Sequence, residues 1–268
     1  MKKLLIYLPL LTSMLLYTAC FDSGDDYVPQ EDPDSFDDTS SDYTSNLVAH
    51  YTFDNNDGTD ATGHGNTAFF YGEPTFVQGQ RGKGVFLNSF KDEYMNIPYN
   101  FFEEKRQWSV SFWVKDFGAG NIFAAQNSTS GSTNGDAPIF WAGQDNQFLL
   151  KCKSGEVQQD EFSSFVFDYT GIQGDGNWHH IVITLWKNSN QYNYGARARL
   201  FVDGTVRDQK TVKLYLDCVN ECSKIVFGGD KSGCYNYRSS MKLDEIRFYD
   251  RALAAPAVTA LFNSENNK

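Results

Sequence analysis

The sequence has little positive charge and no long helical pattern. Lys and Arg number 23 against 34 Asp and Glu, and the basic residues form no stripe. A protein that binds nucleic acid needs such a stripe to displace counterions from the phosphates, so the composition argues against a nucleic-acid partner. Apolar residues nowhere recur at the spacing of a long amphipathic helix. The 22 Phe, 15 Tyr and 22 Gly favour strands and turns instead.

The start of the chain lacks the length of apolar sequence that a membrane-spanning helix needs. Two lysines precede an apolar run over residues 4–16, and a bilayer requires roughly 20 such residues. Small residues then lead to Cys20, so residues 1–19 are predicted to be a signal peptide. The segment resembles a bacterial lipoprotein signal, in which the cysteine is acylated and becomes the mature N-terminus. An ordinary cleaved signal with an incidental Cys20 is the alternative.

The stretch that follows has no basic residue and few apolar ones. Residues 21–45 contain nine acids: Asp22, Asp25, Asp26, Glu31, Asp32, Asp34, Asp37, Asp38 and Asp42. Such a composition cannot bury enough surface to fold, so residues 20–45 are predicted to be the lipidated Cys20 and a flexible acidic tether. The acidic run resembles the surface-export signal of lipoproteins in some Gram-negative bacteria. It implies a lipid-anchored outer-membrane protein that faces the cell surface, and an inward-facing anchor with a solvated spacer is the alternative.

Residues 46–268 show the alternation of apolar and polar residues that is typical of strands. About twelve strand candidates are separated by Gly- and Asp-rich turns, without an internal repeat or a second domain. The last candidate, over residues 241–249, changes phase at Asp244 and Glu245, which indicates a β-bulge. Pro256 can then open a short helix. The prediction is an all-β fold: a two-sheet antiparallel jelly-roll sandwich with a short C-terminal helix.

Seven motifs of this region occur in a recognisable order. They are Leu47-Val-Ala-His-Tyr-Thr-Phe-Asp54, Ala61-Thr-Gly-His-Gly-Asn66, Gly82-Lys-Gly-Val-Phe-Leu-Asn88, Val110-Ser-Phe-Trp-Val114, Trp178-His-His-Ile-Val182, Leu200-Phe-Val-Asp-Gly204 and Leu243-Asp-Glu-Ile-Arg-Phe-Tyr249 with Arg251-Ala-Leu253. In this order they resemble laminin-G-like domains of the concanavalin A-like lectin/glucanase superfamily. One departure is Ala254, where such domains often have a Ser or Thr that caps the helix.

The resemblance implies a structural calcium ion. Domains of this kind often bind calcium through the residues that match Asp54 and Asp244, together with oxygens of the loop after the first strand. That loop offers Asp57, Thr59 and Asp60 here, and calcium takes roughly six to eight oxygen ligands. The alternative is that these acids only end strands and form Asx turns.

Catalytic motifs are missing from the sequence. Glycoside hydrolases of the superfamily need two carboxylates across the scissile bond, but the Glu-x-Asp-x-x-Glu signature of laminarinase-like enzymes does not occur. A Gly-x-Ser-x-Gly nucleophile elbow does not occur either. His179 and His180 are neighbours on a strand, so they face opposite ways and are expected to be packed and hydrogen-bonded. The chain is therefore predicted not to be an enzyme.

Aromatic residues in polar loops are candidates for sugar binding, because sugar rings stack on exposed aromatic rings. Two Tyr-Asn-Tyr triplets provide Tyr192, Tyr194, Tyr235 and Tyr237, and Trp141 lies near Asp145 and Asn146. Packing in the core is the alternative for each of these rings.

Besides Cys20, the chain has an even number of cysteines: Cys152, Cys218, Cys222 and Cys234. In an exported protein this favours two disulfides, with three possible pairings. A slight preference goes to Cys218 with Cys222 and Cys152 with Cys234. Paired Cys-x-x-Cys knuckles do not occur, which argues against zinc.

These observations lead to two hypotheses of different classes. The first is a non-catalytic lipoprotein of the cell envelope that binds carbohydrate through loops of a calcium-stabilised, lectin-like sandwich. The second is an adhesion or assembly module whose partner is an envelope or extracellular protein. A glycoside hydrolase ranks behind both.

Overall fold

The computed structural model describes the predicted domain and the residues just before it. These residues belong to one compact unit, Pro33–Lys268. None of their helices is long and apolar enough to cross a membrane. The predicted signal peptide, Cys20 and most of the tether lie outside the described residues, which are 38–102, 105, 107–126, 139–142, 147–152, 163–168, 171–187, 195–213, 223–229 and 239–266.

The described residues form fifteen strands and one α-helix. The strands are β1 (Leu47–Tyr51), β2 (Phe69–Tyr71), β3 (Thr75–Gln78), β4 (Lys83–Leu87), β5 (Tyr94–Ile97), β6 (Gln107–Lys115), β7 (Gly120–Gln126), β8 (Ile139–Ala142), β9 (Gln147–Cys152), β10 (Ser163–Asp168), β11 (His179–Lys187), β12 (Gly195–Val202), β13 (Thr205–Lys213), β14 (Lys224–Phe227) and β15 (Met241–Tyr249). The helix α1 is Ala255–Asn266, and a 3-10 turn, Ser89–Lys91, follows β4.

The strands are arranged in two antiparallel sheets. The first sheet has the order β13-β12-β11-β6-β15-β4-β3, and β1 also pairs with β15. The second sheet has the order β10-β9-β8-β7-β14-β5-β2. All these pairings are antiparallel. The predicted all-β sandwich with a short C-terminal helix is confirmed.

The main core lies between the two sheets and is rich in aromatic rings. Alternate residues of β6, among them Val110, Phe112 and Val114, are fully buried in it. Phe112 meets Phe123 and Phe227 edge to face, with ring centroids 6.4 and 6.0 Å apart. Aromatic rings prefer this geometry, so the abundance of Phe in the sequence is explained by packing between the sheets.

A second apolar cluster lies on the outer face of the first sheet. Its buried members are Val182, Phe201, Tyr249, Leu253, Ala257 and Val258. The last two belong to α1, so the helix covers strands that would otherwise expose apolar side chains to water. Tyr43 and Leu47 pack against the same cluster.

The end of the predicted tether contacts the domain. Arg199 of β12 pairs with Asp38, and Arg251 Nη1 lies 3.8 Å from Asp42 Oδ2. Tyr43, the residue after Asp42, packs on the outer cluster. Folded contacts therefore begin about eight residues before the predicted boundary at residue 46, because the acids meet arginines that are distant in the sequence.

A buried ionic network fastens α1 to the sheet. Glu245 Oε2 accepts a hydrogen bond from Arg247 Nη2 at 2.5 Å and lies 2.7 Å from His50 Nε2. Arg247 also pairs with Glu265 of α1, whose Oε2 accepts from Trp113 Nε1 at 2.7 Å. Arg247 is only 7% exposed. Its single positive charge is therefore shared by two buried carboxyl groups on different elements.

The network keeps Glu245 ionised. Burial by itself would raise the pKa of this carboxyl group. The hydrogen bond with His50 and the positive charge of Arg247 outweigh burial and lower the pKa of Glu245 to about 2. Hence the buried glutamate carries its charge at neutral pH.

Replacing Arg247 with Ala is expected to lower the free energy of unfolding by about 3–5 kcal/mol, because Glu245 and Glu265 would stay buried without their arginine partner. Urea unfolding at pH 7 measures this loss. Lys242→Ala is the matched control on the same strand, since Lys242 Nζ pairs with Asp116 Oδ2 at 2.7 Å at the surface. Exposed pairs contribute about 1 kcal/mol or less, and equal losses in the two variants would contradict the role of the network.

Candidate functional site

The predicted phase slip in the closing strand is a β-bulge. The pairing of β15 with β6 shifts register between Asp244 and Arg247, and Glu245 has a left-handed φ of 51°. The bulge lies where the other neighbour of β15 changes, since Leu243 pairs with β4 and Ile246 pairs with β1. Leu243 and Ile246 both enter the main core. The two acids between them are thus both turned away from it.

Asp244 accepts hydrogen bonds from a tight loop over residues 79–84. Its Oδ2 accepts from Arg81 N at 2.9 Å, and its Oδ1 accepts from Glu245 N at 2.8 Å. The side chain is fully buried. A Cβ atom at Gly79 would lie only 2.4 Å from Asp244 Oδ2, so a glycine is needed here for the close approach.

Asp54 approaches the same loop from the end of β1. Its Oδ1 accepts from Lys83 N at 2.9 Å. Gly82 has a φ of +49°, and a Cβ atom there would lie 2.0 Å from Asp54 Oδ1. The loop therefore holds the two predicted metal-binding aspartates near each other, although they are far apart in the sequence.

Negative charge accumulates around Asp244. Burial raises the pKa of its carboxyl group to about 8, and the negative charges of Glu245 and Asp54 add to this effect. Among the ion pairs of the described residues, neither Asp54 nor Asp244 has a Lys or Arg partner. A proton or a cation is therefore needed to neutralise this site.

Asp60, one of the predicted calcium ligands, accepts four hydrogen bonds from the chain itself. Its Oδ1 accepts from His50 N at 3.1 Å, from Thr62 N at 3.0 Å and from Thr62 Oγ1 at 2.7 Å, and its Oδ2 accepts from Asn66 N at 3.2 Å. These donors lower the pKa of Asp60 in spite of its burial. The carboxylate fastens the loop over residues 54–66 to β1 and is engaged by the chain itself.

The remaining predicted calcium ligands form a local turn. Asp57 Oδ1 accepts from Thr59 N at 3.0 Å, which is the Asx turn that the sequence offered as the alternative. Across the described residues, no group of three or more His, Cys, Asp or Glu side chains is placed to hold a metal ion. Asp54 and Asp244 of the predicted set both accept hydrogen bonds from the loop over residues 79–84, so an ion bound by these two would depend on carbonyl and water oxygens as well.

The two neighbouring histidines have structural partners, as expected. His179 lies 2.8 Å from Asp203 Oδ2 through Nδ1 and 3.0 Å from Asp175 Oδ2 through Nε2. His180 Nε2 lies 2.8 Å from Ser111 Oγ. Burial, and secondarily the charge of Arg247, lower the pKa of His180 to about 3. This histidine is therefore neutral and packed.

Most of the predicted sugar-binding and disulfide residues lie outside the described part of the chain. Trp141 lies in β8, and Cys152 ends β9. The remaining predicted residues lie outside the described part: Tyr192, Tyr194, Tyr235, Tyr237, Cys218, Cys222, Cys234 and, in the N-terminal segment, Cys20.

Sequence reasoning missed four exposed aromatic residues of the described part, of which Tyr99 is the least exposed. Phe69 and Tyr71, on the edge strand β2, are 60% and 58% exposed, and Phe90, in the 3-10 turn, is 95% exposed. A signal for Phe90 was present, since it is the only apolar residue in the polar run Asn88-Ser-Phe-Lys-Asp92 just after a strand. Such an isolated ring has no apolar neighbour in the sequence to pair with in a core.

A comparison with protein families matches residues 89–259 to the model of the concanavalin A-like lectin/glucanases superfamily. A comparison with curated proteins finds no match.

Similar solved structures include binding domains. The binding domain of Paraclostridial Mosquitocidal Protein 1 is 20% identical with a TM-score of 0.58, over 83% of this chain and 53% of that one. Domain 4 of an extracellular arabinanase from Geobacillus stearothermophilus, in complex with arabinotriose, is 20% identical with a TM-score of 0.54, over 80% and 97%. The binding domain of botulinum neurotoxin DC, in complex with rat synaptotagmin II, is 15% identical with a TM-score of 0.59, over 83% and 52%.

The chain thus spans about half the length of the toxin binding domains that it matches and nearly all of the arabinanase domain. At these identities the likeness establishes the shared fold.

Proposed function

The chain belongs to the concanavalin A-like lectin/glucanases superfamily, and from this premise we propose that it is a non-catalytic module that binds carbohydrate. Its fold occurs in binding domains, and one domain of that fold is in complex with arabinotriose. The proposed module is anchored to the cell envelope through Cys20 and stabilised by calcium at Asp54 and Asp244.

The hydrogen bonding of the buried acids supports a non-catalytic role. In the described residues the buried acids are Asp60, Glu93, Asp244, Glu245 and Glu265. Each accepts hydrogen bonds from the chain itself, Glu93 from the backbone N of Asn88 at 3.0 Å and the others as given above. A glycoside hydrolase needs two carboxylates that face the scissile bond. Acids committed to loops, a bulge and a helix are poorly suited to that task.

Protein binding is the second candidate, and an edge strand favours it. β2 lies at the end of the second sheet, where an extended segment of a partner could add a strand. Tyr71 on β2 stacks on Tyr94, with centroids 4.8 Å apart and planes inclined by 14°, and the pair offers a rigid aromatic contact. The similar neurotoxin domain in complex with synaptotagmin II gives a precedent within the fold.

A glycan array probed with the full mature chain tests the proposed function. Binding to one group of related oligosaccharides is expected, without release of reducing sugar when the same glycans are incubated with the protein. Heat-unfolded protein is the control for nonspecific adhesion. If no glycan on the array bound, and a pull-down captured one envelope protein, protein binding would be favoured over carbohydrate binding.

Calcium is expected to raise the melting temperature of the EGTA-treated protein, because an ion at 100 times its dissociation constant adds about 2.7 kcal/mol of stability. Asp244→Asn is expected to abolish this shift. Asp60→Asn is the matched control, which should lower the melting temperature through the loosened loop but keep the calcium shift. Equal midpoints of the original protein with EGTA and with calcium would count against the site.

The same experiment has a defined pH dependence. Without calcium, the raised pKa of Asp244 means that the folded state retains a proton between about pH 4, the ordinary range of an Asp, and pH 8. Its contribution to stability is complete below this window and is lost as the pH rises through it. Since calcium competes with that proton, the calcium shift should grow between pH 6 and pH 9.

Cys20→Ala is expected to move the protein from the membrane fraction to the soluble fraction, because it removes the attachment point of the proposed lipid. Immunoblots of both fractions measure this change, and Cys152→Ala is the matched control. Proteinase treatment of intact cells should release the domain if it faces the cell surface. Retention of Cys20→Ala in the membrane would overturn the proposed anchor.

A further inference from the structure

A cleft of about 420 Å³ opens at one end of the first sheet. Its walls are the end of β4 with Ser89 and Phe90, the end of β6 with Asp116 and Gly118, and the start of β15 with Ser239 and Ser240. Gly174, before β11, lines it too. The strands β11, β6, β15 and β4 are consecutive antiparallel neighbours, so the topology brings these four loops to one edge.

Phe90 projects from a turn that is held in place. Its backbone N donates to Asn88 Oδ1 at 3.0 Å. The neighbouring Ser89 N donates to Ser240 Oγ at 3.0 Å, and the two serine Oγ atoms are 2.8 Å apart. The turn is thereby tied to the opposite wall of the cleft. The 95% exposed ring is presented by fixed backbone, which reduces the entropy that a ligand would have to remove.

Small residues line most of the cleft beside the ring, together with the apolar side chain of Phe117. Ser239 Oγ donates to Gly118 O at 2.9 Å and accepts from Gly118 N at 3.1 Å. Asp116 Oδ2 pairs with Lys242 Nζ, and its side chain is 39% exposed. Among the lining residues that the structure describes, Asp116 is the one that carries a charge.

The space beside Gly118 is not filled by neighbouring atoms. An added Cβ atom would have Ser239 Oγ, at 3.8 Å, as its nearest neighbour, and the φ of Gly118 is not in the left-handed region. A larger side chain there would occupy the cleft without straining the backbone.

We infer that this cleft is a binding subsite for a neutral saccharide, which rests on the proposed function and gives it a location. The apolar C–H face of a sugar ring would lie on Phe90, and its hydroxyl groups would donate to the Asp116 carboxylate. A cleft of this size is in the range of small-ligand sites. None of the described lining residues is a cation, and Asp116 is already paired with Lys242. The cleft therefore offers no positive charge to an anionic sugar or an anionic lipid headgroup, and a neutral saccharide fits it better.

The test uses the full mature chain and the neutral oligosaccharide that gives the strongest signal on a glycan array. Isothermal titration calorimetry should show that Phe90→Ala raises Kd by about tenfold or more, as expected for loss of a central aromatic contact. Gly118→Val, which fills the cleft, should do the same. Phe69→Ala removes another exposed ring, on β2 of the second sheet, and should change Kd less than about twofold, within the usual range of neutral surface changes.

The outcomes separate this inference from the proposed function. Melting temperatures of all three variants should match the original chain, since none of the changed positions contributes to a core. Sugar binding that survives both Phe90→Ala and Gly118→Val overturns the cleft and leaves the proposed function intact. If the unmodified chain bound no glycan on the array, both the proposed function and the proposed subsite would be overturned. Phe90-dependent sedimentation with phosphatidylcholine and phosphatidylglycerol vesicles, without effect of Phe90→Ala on sugar binding, replaces the saccharide by a lipid surface.

Discussion

The rest of the domain depends on the β-bulge at Asp244 and Glu245. A regular strand would send two successive side chains to opposite faces, and one of these acids would then enter the aromatic core. The bulge keeps Leu243 and Ile246 in that core and turns both acids outward. Glu245 then meets Arg247 and His50, whereas Asp244 meets the loop over residues 79–84. One local irregularity therefore supplies the anchor of the C-terminal helix and the charged half of the candidate metal site.

Patterns that are local in sequence were sufficient for the fold. Alternation gave the strands, and its interruption at Asp244 indicated the bulge, because both are consequences of the two-residue period of a strand. The motifs shared with laminin-G-like domains then fixed the sandwich. The approach of Asp54 to Asp244 followed from that resemblance, since a pairing over such a separation has no local signal.

The sequence did not reveal which acidic side chains accept hydrogen bonds within the domain. Asp60 was predicted to bind calcium because it lies in an acidic, glycine-rich loop. Its carboxylate accepts hydrogen bonds from Thr62, two residues away, and from His50 and Asn66, which only the fold brings close to it. The tether offers the opposite case. Its composition predicted disorder up to residue 45, yet Asp38 and Tyr43 find partners on the domain. Composition measures how much apolar surface a segment can bury, and it does not register individual ion pairs with distant arginines.

The route by which the chain enters the domain has a mechanical consequence. Tension applied on the N-terminal side would reach the Asp38–Arg199 pair first, then Tyr43 and the Asp42–Arg251 contact, and only then β1. β1 runs antiparallel to β15, which is an interior strand of the first sheet. A pull along β1 would load its backbone hydrogen bonds together in shear, instead of opening them one after another. Under such tension the weak surface contacts of the acidic segment would break first. The hydrogen bonds between β1 and β15 would bear the force only after that.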